Sequence, residues 1–297
     1  MASKPRPNLP GFAFHLTARA QDRAHRFTGP VRDRVVHFLA REVERSDARL
    51  LAYVVMTNHL HLVVVQGSLP LGRFMQPLLS SIALSVHRIH GVAGHVFERR
   101  YRHSVCLDYD YLRYAIAYTH ANPVRAGLCE DPAKYRWSSH AAYVAASEGR
   151  RVKTPVAVDV AMGLTAFCVD GPATAREAGQ AYLDSLASAV DPGNRGASRT
   201  PDADTPGLPD RSDDVGGRLI DGRPTLEAMA DHILHGVPGD VNHIRGRWGP
   251  RARLRIRREF VLHAVRAGYT RREIGRYLAL SESAVSRLLA SFHPGHS

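Results

Sequence analysis

Two histidines lie two residues apart within an apolar segment, and this spacing suggests a metal site. Residues 51–65 read LAYVVMTNHLHLVVV and place His59 and His61 in a strand-like context. Side chains alternate between the two faces of a β-strand, so both imidazoles should leave the same face. Two such rings can bind one divalent cation, although a complete site needs a third ligand. Because the chain contains 17 histidines, an unrelated pair is the alternative.

A second segment offers a third ligand and a nucleophile. Tyr118 and Asn122 are four residues apart in a helix-like stretch, so they should project from one face. Asn122 has an amide oxygen that can complete the site, and Tyr118 has a phenol one turn away. Tyr111, Tyr114 and Tyr118 also follow the helical spacing of a buried aromatic stripe. Spacing alone therefore does not select the nucleophile among the three tyrosines.

The elements that must position these side chains form an α+β pattern. We predict strands at residues 12–17, 49–56, 60–66 and 102–107, and helices at residues 31–46, 69–90 and 110–121. Thr57 and Asn58 should form a tight hairpin connection, and His59 is the alternative start of the third strand. The last helix should end near Asn122, because Pro123 disfavours helical backbone in the residue before it. This order predicts an antiparallel sheet with helices on one face.

Four segments, taken together, resemble a known family. They are TNHLHLVV, GHVFERRYRHSVCL, YTHANPVRAGL and YRWSSHAAY. Over roughly residues 10–145 the chain resembles the REP-associated tyrosine transposases, which belong to the single-tyrosine HUH superfamily and have an IS200-like domain. The resemblance implies a ferredoxin-like HUH domain with Tyr118 as the nucleophile. It also implies that His59, His61 and Asn122 bind the metal, and this mixed ligand set suits magnesium or manganese, with zinc as an alternative.

The reaction that the resemblance implies is cleavage and rejoining of single-stranded or hairpin DNA. The Tyr118 phenolate would attack the scissile phosphorus and leave a 5′-phosphotyrosine and a free 3′-OH. Two other functions are open. One is a non-catalytic DNA-binding regulator, and the other is a metal hydrolase that uses water as its nucleophile. The sequence also leaves open whether two chains form a homodimer.

The charge of the chain favours a polyanionic partner. The formal net charge is +12, and the basic residues are mostly arginine. Arginine pairs with phosphate through two hydrogen bonds, which favours a nucleic-acid partner. Codon usage in a GC-rich genome explains the high arginine content equally well. We expect Tyr101 to stack on bases between three arginines that follow a single-stranded backbone, the alternative being an exposed basic strand edge. These arginines are Arg99, Arg100 and Arg102, and His103 is expected to follow the backbone with them.

Cysteine content and hydropathy favour a cytoplasmic protein. The three cysteines are far apart, without a Cys-x-x-Cys pair, which is typical of buried, reduced thiols. No apolar run reaches the length of a membrane span, and the first residues do not form a signal peptide. We therefore expect no membrane partner.

Composition divides the chain into four predicted regions. They are a transposase-like domain at residues 1–150, a helical extension at 151–190, a flexible linker at 191–224 and a basic helix-turn-helix domain at 225–297. Residues 241–297 contain twelve Arg, no Lys and three Glu. This added domain departs from the common pattern of the family that the chain resembles.

Two tandem helices are expected in the last region. Thr270 and Glu273 form a capping box that opens the first, Ala279 and Leu280 form the turn, and Ser281 caps the second. The second helix would enter a major groove, and the basic stretch before the pair would bind phosphates. The alternative is a basic helical hairpin packed on the first domain. The expected contacts are Ser283, Ser286 and Arg287 to the groove and Arg251, Arg253 and Arg255 to the phosphates.

Overall fold

The structure, a computed structural model, describes residues 8–106, 109–168, 174–190, 219–220, 223–234 and 251–290. These residues fall into two compact units. The larger contains residues 12–168 and 174–190, and the smaller contains residues 8–11 and the described residues from 219 onward.

A four-stranded antiparallel sheet forms the centre of the larger unit. Its strands are β1 (Ala13–Arg19), β2 (Arg49–Val55), β3 (His59–Val65) and β4 (Arg102–Cys106). The order across the sheet is β2-β3-β1-β4, which confirms the predicted α+β class. The Met56 N–H donates to the His59 carbonyl at 2.8 Å, so Thr57 and Asn58 form the predicted two-residue hairpin loop. His59, the alternative start, opens β3.

Strand β3 is buried at every residue. Leu60, Leu62 and Val64 point to one face of the sheet, while His59, His61, Val63 and Val65 point to the other. Both faces of β3 are therefore covered by other parts of the chain. Both faces carry large aliphatic side chains, so each face needs cover from other elements.

Among the described residues of this unit, six segments form α-helices. They are α1 (Gly29–Glu44), α2 (Leu71–His90), α3 (Tyr109–Arg125), α4 (His140–Ser147), α5 (Val160–Thr165) and α6 (Ala175–Val190). Helices α1 and α2 pack on each other, and α3 packs on β2, β3 and α6. Tyr182, Leu186 and Ala189 of α6 share one apolar cluster with Tyr118 of α3. The helices of the predicted extension thus cover the helix that carries the candidate nucleophile.

Helix α3 continues through Pro123, contrary to the prediction that it ends near Asn122. Pro123 is buried, and the Asn122 side chain donates to the Tyr118 carbonyl at 2.9 Å within the same helix. This bond and the burial offset the local preference against helix before proline. The helix ends at Arg125, and Gly127, two residues later, has a φ of 67°, the left-handed conformation common after helices. The extra turn matters because it contains Arg125.

The smaller unit has a two-strand ladder and four helices among its described residues. They are β5 (Leu219–Ile220), β6 (Arg223–Pro224), α7 (Leu226–Leu234), α8 (Arg251–Arg266), α9 (Arg271–Leu278) and α10 (Glu282–Ala290). Most of the predicted linker, residues 191–224, lies outside the described residues. None of the helices that the structure describes is long and apolar enough to cross a bilayer.

The turn between α9 and α10 follows from its local sequence. Thr270 and Glu273 form the predicted capping box. Ala279 ends α9 in the left-handed conformation, with φ at 55°. A Cβ on Gly275 would lie 2.7 Å from the Leu280 carbonyl oxygen. Only glycine therefore allows the backbone after α9 to pass this close to the helix. Whether these two helices act as a helix-turn-helix stays a prediction.

Replacing Gly179 by alanine should destabilise the larger unit. An added Cβ would lie 2.5 Å from Cα of Ser147 on α4, and overpacking of this kind costs about 1–3 kcal/mol of unfolding free energy. Gly72→Ala in α2 is the matched control, since nothing lies within 4 Å of its Cβ position. The control should be neutral or stabilising by up to about 1 kcal/mol. Equal effects in urea unfolding would contradict the packing of α6 on α4.

Candidate active site

The two histidines of β3 lie side by side on the face that α3 covers. Their ring centroids are 4.8 Å apart, and both side chains are buried. The register of β1 places Arg19 opposite His59 and Thr17 opposite His61. Directly opposed residues of an antiparallel pair share a face, so β1 contributes side chains to the same site.

Each imidazole uses Nδ1 within the protein, while its Nε2 has no partner in the part of the chain that the structure describes. His59 Nδ1 lies 2.6 Å from Asn58 Oδ1. His61 Nδ1 lies 2.9 Å from His15 Nε2 and 3.1 Å from Thr17 Oγ1. Both Nε2 atoms are buried and have no hydrogen-bond partner among the described residues. Buried polar atoms normally have partners, and metal-binding histidines hold their other nitrogen in this manner. The pair therefore fits a divalent cation bound through Nε2.

The electrostatic setting keeps these rings neutral. Burial lowers the pKa of His59 to about 3, with smaller contributions from the charges of Arg19 and His15. Burial is the main cause that lowers the pKa of His61, and the charges of His59, His15 and Arg19 lower it further. A neutral imidazole is the form that binds a metal. Among the described residues, no group of three or more His, Cys, Asp or Glu could hold a metal ion.

Tyr118 approaches the pair from α3. Its ring lies edge-on to His61, with centroids 5.7 Å apart, and edge-on to His15 at 6.4 Å. Asn122 follows one turn later, is buried, and has an amide oxygen that suits a hard cation. Arg125, two turns after Tyr118, places its Cζ 5.6 Å from the tyrosine ring centroid. The structure thus brings the phenol beside the paired imidazoles.

Burial of Tyr118 opposes the predicted chemistry. The side chain is 1% exposed, so a DNA phosphate does not reach it in the arrangement described. Burial raises the pKa of the phenol, while Arg125, Arg19 and a hydrogen bond with Asn122 lower it. Tyr114 is 44% exposed, and its ring centroid lies 5.8 Å from that of Tyr118. Cleavage by Tyr118 therefore requires a movement that uncovers it.

Sequence reasoning missed the residues that β1 contributes. His15, Thr17 and Arg19 alternate with the apolar Phe14, Leu16 and Ala18, and the first set lies on the face of the histidine pair. The segment FHLTAR has a clear two-residue alternation of polar and apolar side chains. That alternation predicts that the polar side chains of the first strand share one face, which is the face of the site.

A second buried polar cluster lies behind α3 and also escaped the sequence analysis. His120 Nε2 lies 2.7 Å from Ser139 Oγ, and His120 Nδ1 lies 2.9 Å from the Tyr182 hydroxyl. The same hydroxyl lies 2.5 Å from His140 Nδ1. Ser139 Oγ in turn accepts a hydrogen bond of 2.9 Å from the backbone N–H of Tyr53. The cluster joins α3 to β2, α4 and α6.

These bonds fix the rotation of the helix that carries the candidate nucleophile. His120 lies between Tyr118 and Asn122 in the chain, and both of its ring nitrogens are occupied. It is therefore a structural anchor and not a base for the phenol. The segment YRWSSHAAY contains two members of the cluster, Ser139 and His140, so the resemblance already contained this signal.

The predicted basic residues of the larger unit lie at the edge of the sheet. Arg99 and Arg100 are exposed before β4, and Arg102 is exposed at its first position. Arg102 is opposite Thr17 in the ladder, so it shares the face of the histidine pair. Tyr101 is 6% exposed, so its ring is not open to stacking on bases in the arrangement described. Its burial follows from a position just before a strand that packs on the core.

The predicted DNA contacts of the smaller unit lie on two of its helices. Arg251, Arg253 and Arg255 lie in the first turns of α8. Ser283 and Arg287 of α10 are exposed, and Ser286 is half-buried with its hydroxyl donating to the Glu282 carbonyl at 2.9 Å. That bond reduces the capacity of Ser286 to donate to a base.

Comparisons with known proteins match part of this chain. Residues 9–121 match the family model described as "Transposase IS200 like", which confirms the resemblance over that segment. The match includes both histidines and Tyr118 and ends one residue before Asn122. A solved structure of a REP-associated tyrosine transposase bound to a REP hairpin is similar at 16% identity and a TM-score of 0.41, covering 54% of this chain and 93% of its own. No curated protein matches the chain.

The free chain should bind one Mn²⁺ through the histidine pair. We expect His59→Gln and His61→Gln each to weaken Mn²⁺ affinity by more than about 10-fold, as measured by titration calorimetry and by the loss of the free-ion EPR signal. His37→Gln, an exposed histidine of α1, is the control and should bind like the unmodified chain. Undiminished binding by both site variants would contradict the assignment. Asn122→Ala should also weaken binding if its oxygen is the third ligand.

Proposed function

We propose that this chain is a metal-dependent transposase that cleaves and rejoins single-stranded or hairpin DNA through a covalent phosphotyrosine. The observation that carries the proposal is the pair of buried, unpaired Nε2 atoms of His59 and His61 beside the edge-on ring of Tyr118. The match of residues 9–121 to IS200-like transposases supports DNA processing as the general activity.

His59, His61 and Asn122 would hold a divalent metal, magnesium or manganese. When bound, such a metal polarises a phosphate oxygen and offsets charge in the transition state. Asn58, His15 and Thr17 orient the two imidazoles through their Nδ1 atoms. This support matters because ring orientation decides whether two Nε2 lone pairs can meet at one ion.

Tyr118 is the proposed nucleophile. Its hydroxyl oxygen forms a bond to phosphorus while the bond from phosphorus to O3′ breaks, so the downstream strand becomes attached through its 5′ phosphate. The phenol proton passes to water, and the leaving O3′ takes a proton from water. Because the phosphoester bond is kept in the protein link, a 3′-OH can attack it and rejoin the strand without ATP.

The site is proposed to form within one chain. His61 and Tyr118 of the same chain have ring centroids 5.7 Å apart, so no second copy is needed to bring them together. A homodimer would then serve DNA binding or synapsis and not assembly of the site.

A second candidate function is that of a non-catalytic DNA-binding regulator. The burial of Tyr118 favours it, since a phenol that stays covered cannot attack DNA. The arginine-rich residues 241–297 would then provide the DNA-binding surface. We rank it second because a regulator has no need for two buried Nε2 atoms without partners.

The proposal predicts a covalent adduct that depends on Tyr118. Hairpin oligonucleotides taken from palindromes flanking the gene, labelled at the 3′ end, should shift to the protein band on a denaturing gel in Mn²⁺. Tyr118→Phe should abolish this adduct, because the attacking oxygen is gone. Tyr114→Phe, which changes the exposed neighbouring tyrosine, should retain it.

The other outcomes separate the alternatives. Cleavage without an adduct that persists in Tyr118→Phe would indicate a hydrolase. Hairpin or duplex binding with neither cleavage nor adduct would indicate the regulator. An adduct lost in Tyr114→Phe and kept in Tyr118→Phe would move the nucleophile by one turn.

The smaller unit is proposed to bind duplex DNA through α8 and α10. Replacing Arg251, Arg253 and Arg255 together by glutamine should weaken duplex affinity and reduce the slope of log affinity against log salt by up to about 3. Arg34→Gln on the exposed side of α1 is the control and should change neither. Fluorescence anisotropy on a labelled duplex measures both quantities. An unchanged salt slope would show that these arginines do not contact phosphates.

A further inference from the structure

Arg19 lies within the candidate active site although no motif draws attention to it. It is the last residue of β1, it is half-buried, and its partner across the ladder is His59. Opposed residues share a face, so the Arg19 side chain leaves the sheet on the side of the histidine pair and α3. Its backbone has partners on both sides, because it pairs with His59 of β3 and its carbonyl accepts a hydrogen bond of 3.1 Å from the Glu98 N–H.

The charge of Arg19 acts on the reacting groups. Burial dominates the pKa values of His59, His61 and Tyr118, and the Arg19 charge lowers all three in addition. It therefore lies close enough to both the candidate metal ligands and the candidate nucleophile to influence them electrostatically.

No anion satisfies this charge within the part of the chain that the structure describes. Arg41, Arg49 and Arg113 of the same unit each pair with a carboxylate. Arg19 has no ion pair or side-chain hydrogen bond among the described residues. A half-buried guanidinium beside a metal site without carboxylates is suited to a phosphate, with which it forms short, charge-assisted bonds.

The other nearby arginines are less suited to the same role. Arg125 already donates from Nη1 to the Ala189 carbonyl at 2.9 Å. Arg102 shares the face but is exposed on the edge strand, where it suits a flanking phosphate. Arg19 alone of these three combines a central strand, a half-buried position and a guanidinium without a described partner.

We propose that Arg19 binds the scissile phosphate and stabilises the charge that develops on its non-bridging oxygens during attack by Tyr118. The inference rests on the proposed function. Arg19 keeps all its protons throughout, while the bond from Tyr118 to phosphorus forms and the bond to O3′ breaks. Its role is to donate hydrogen bonds that strengthen as the phosphorus becomes five-coordinate.

Single-turnover cleavage of the labelled hairpin, with adduct formation as the readout, tests this role. Arg19→Ala should lower the rate by about 10²–10³-fold, while hairpin affinity and Mn²⁺ affinity stay within about threefold. Arg19→Lys should recover part of the rate, since a single ammonium replaces a planar fork. Arg34→Ala is the control for loss of one positive charge and should react at the full rate.

Chemical rescue distinguishes a direct role from a folding defect. Millimolar guanidinium chloride, well below denaturing levels, should restore part of the rate of Arg19→Ala, whereas equal NaCl should not. Full activity of Arg19→Ala, or loss of Mn²⁺ binding together with activity and no rescue, would overturn the inference and leave the proposed function standing. If the unmodified chain forms no adduct, the proposed function fails and the inference fails with it.

Discussion

Two neutral imidazoles buried side by side, each with one nitrogen held by the protein and the other unpaired, are the constraint on which the site depends. Strand geometry imposes the arrangement, because residues 59 and 61 must share a face and that face is covered by α3. Burying a ring nitrogen without a hydrogen-bond partner costs on the order of 1–3 kcal/mol of folding free energy. A bound cation would remove that cost at both rings at once, which connects the stability of the fold to the proposed chemistry.

The helix that faces the pair is positioned from behind. His120 is bonded to Ser139 and Tyr182, so β2, α4 and α6 together set the rotation of α3. The same packing covers Tyr118, whose phenol has a raised pKa because of burial. The described residues thus hold the two imidazoles side by side, while Tyr118 is covered and closed for attack on DNA. The position of Tyr118 beside the histidines and its access to DNA are therefore separate properties. The packing of the core sets the position and does not provide the access.

Much of the sheet and the central residues were predictable from sequence, and the reasons are local. The period of two in TNHLHLVV predicts the shared face of His59 and His61. The four-residue spacing of Tyr118 and Asn122 predicts that they share a helix face, but it does not select among the three tyrosines. The continuation of α3 through Pro123 was not predictable, since it depends on burial and on a bond from the Asn122 side chain. The contribution of β1 depends on its register with β3, a non-local property that alternation in FHLTAR only suggests. The burial of Tyr101 and Tyr118 likewise depends on packing partners far away in the chain.

¹⁵N NMR spectroscopy of the histidine rings tests the central claim most directly. In the metal-free chain at neutral pH, the rings of His59 and His61 should both be neutral, with the proton on Nδ1 and an unprotonated Nε2. Addition of a diamagnetic divalent metal such as Zn²⁺ should shift both Nε2 resonances together and leave both Nδ1 protonated. Protons on Nε2 in the free chain, or a metal that leaves the two Nε2 resonances unmoved, would contradict the account.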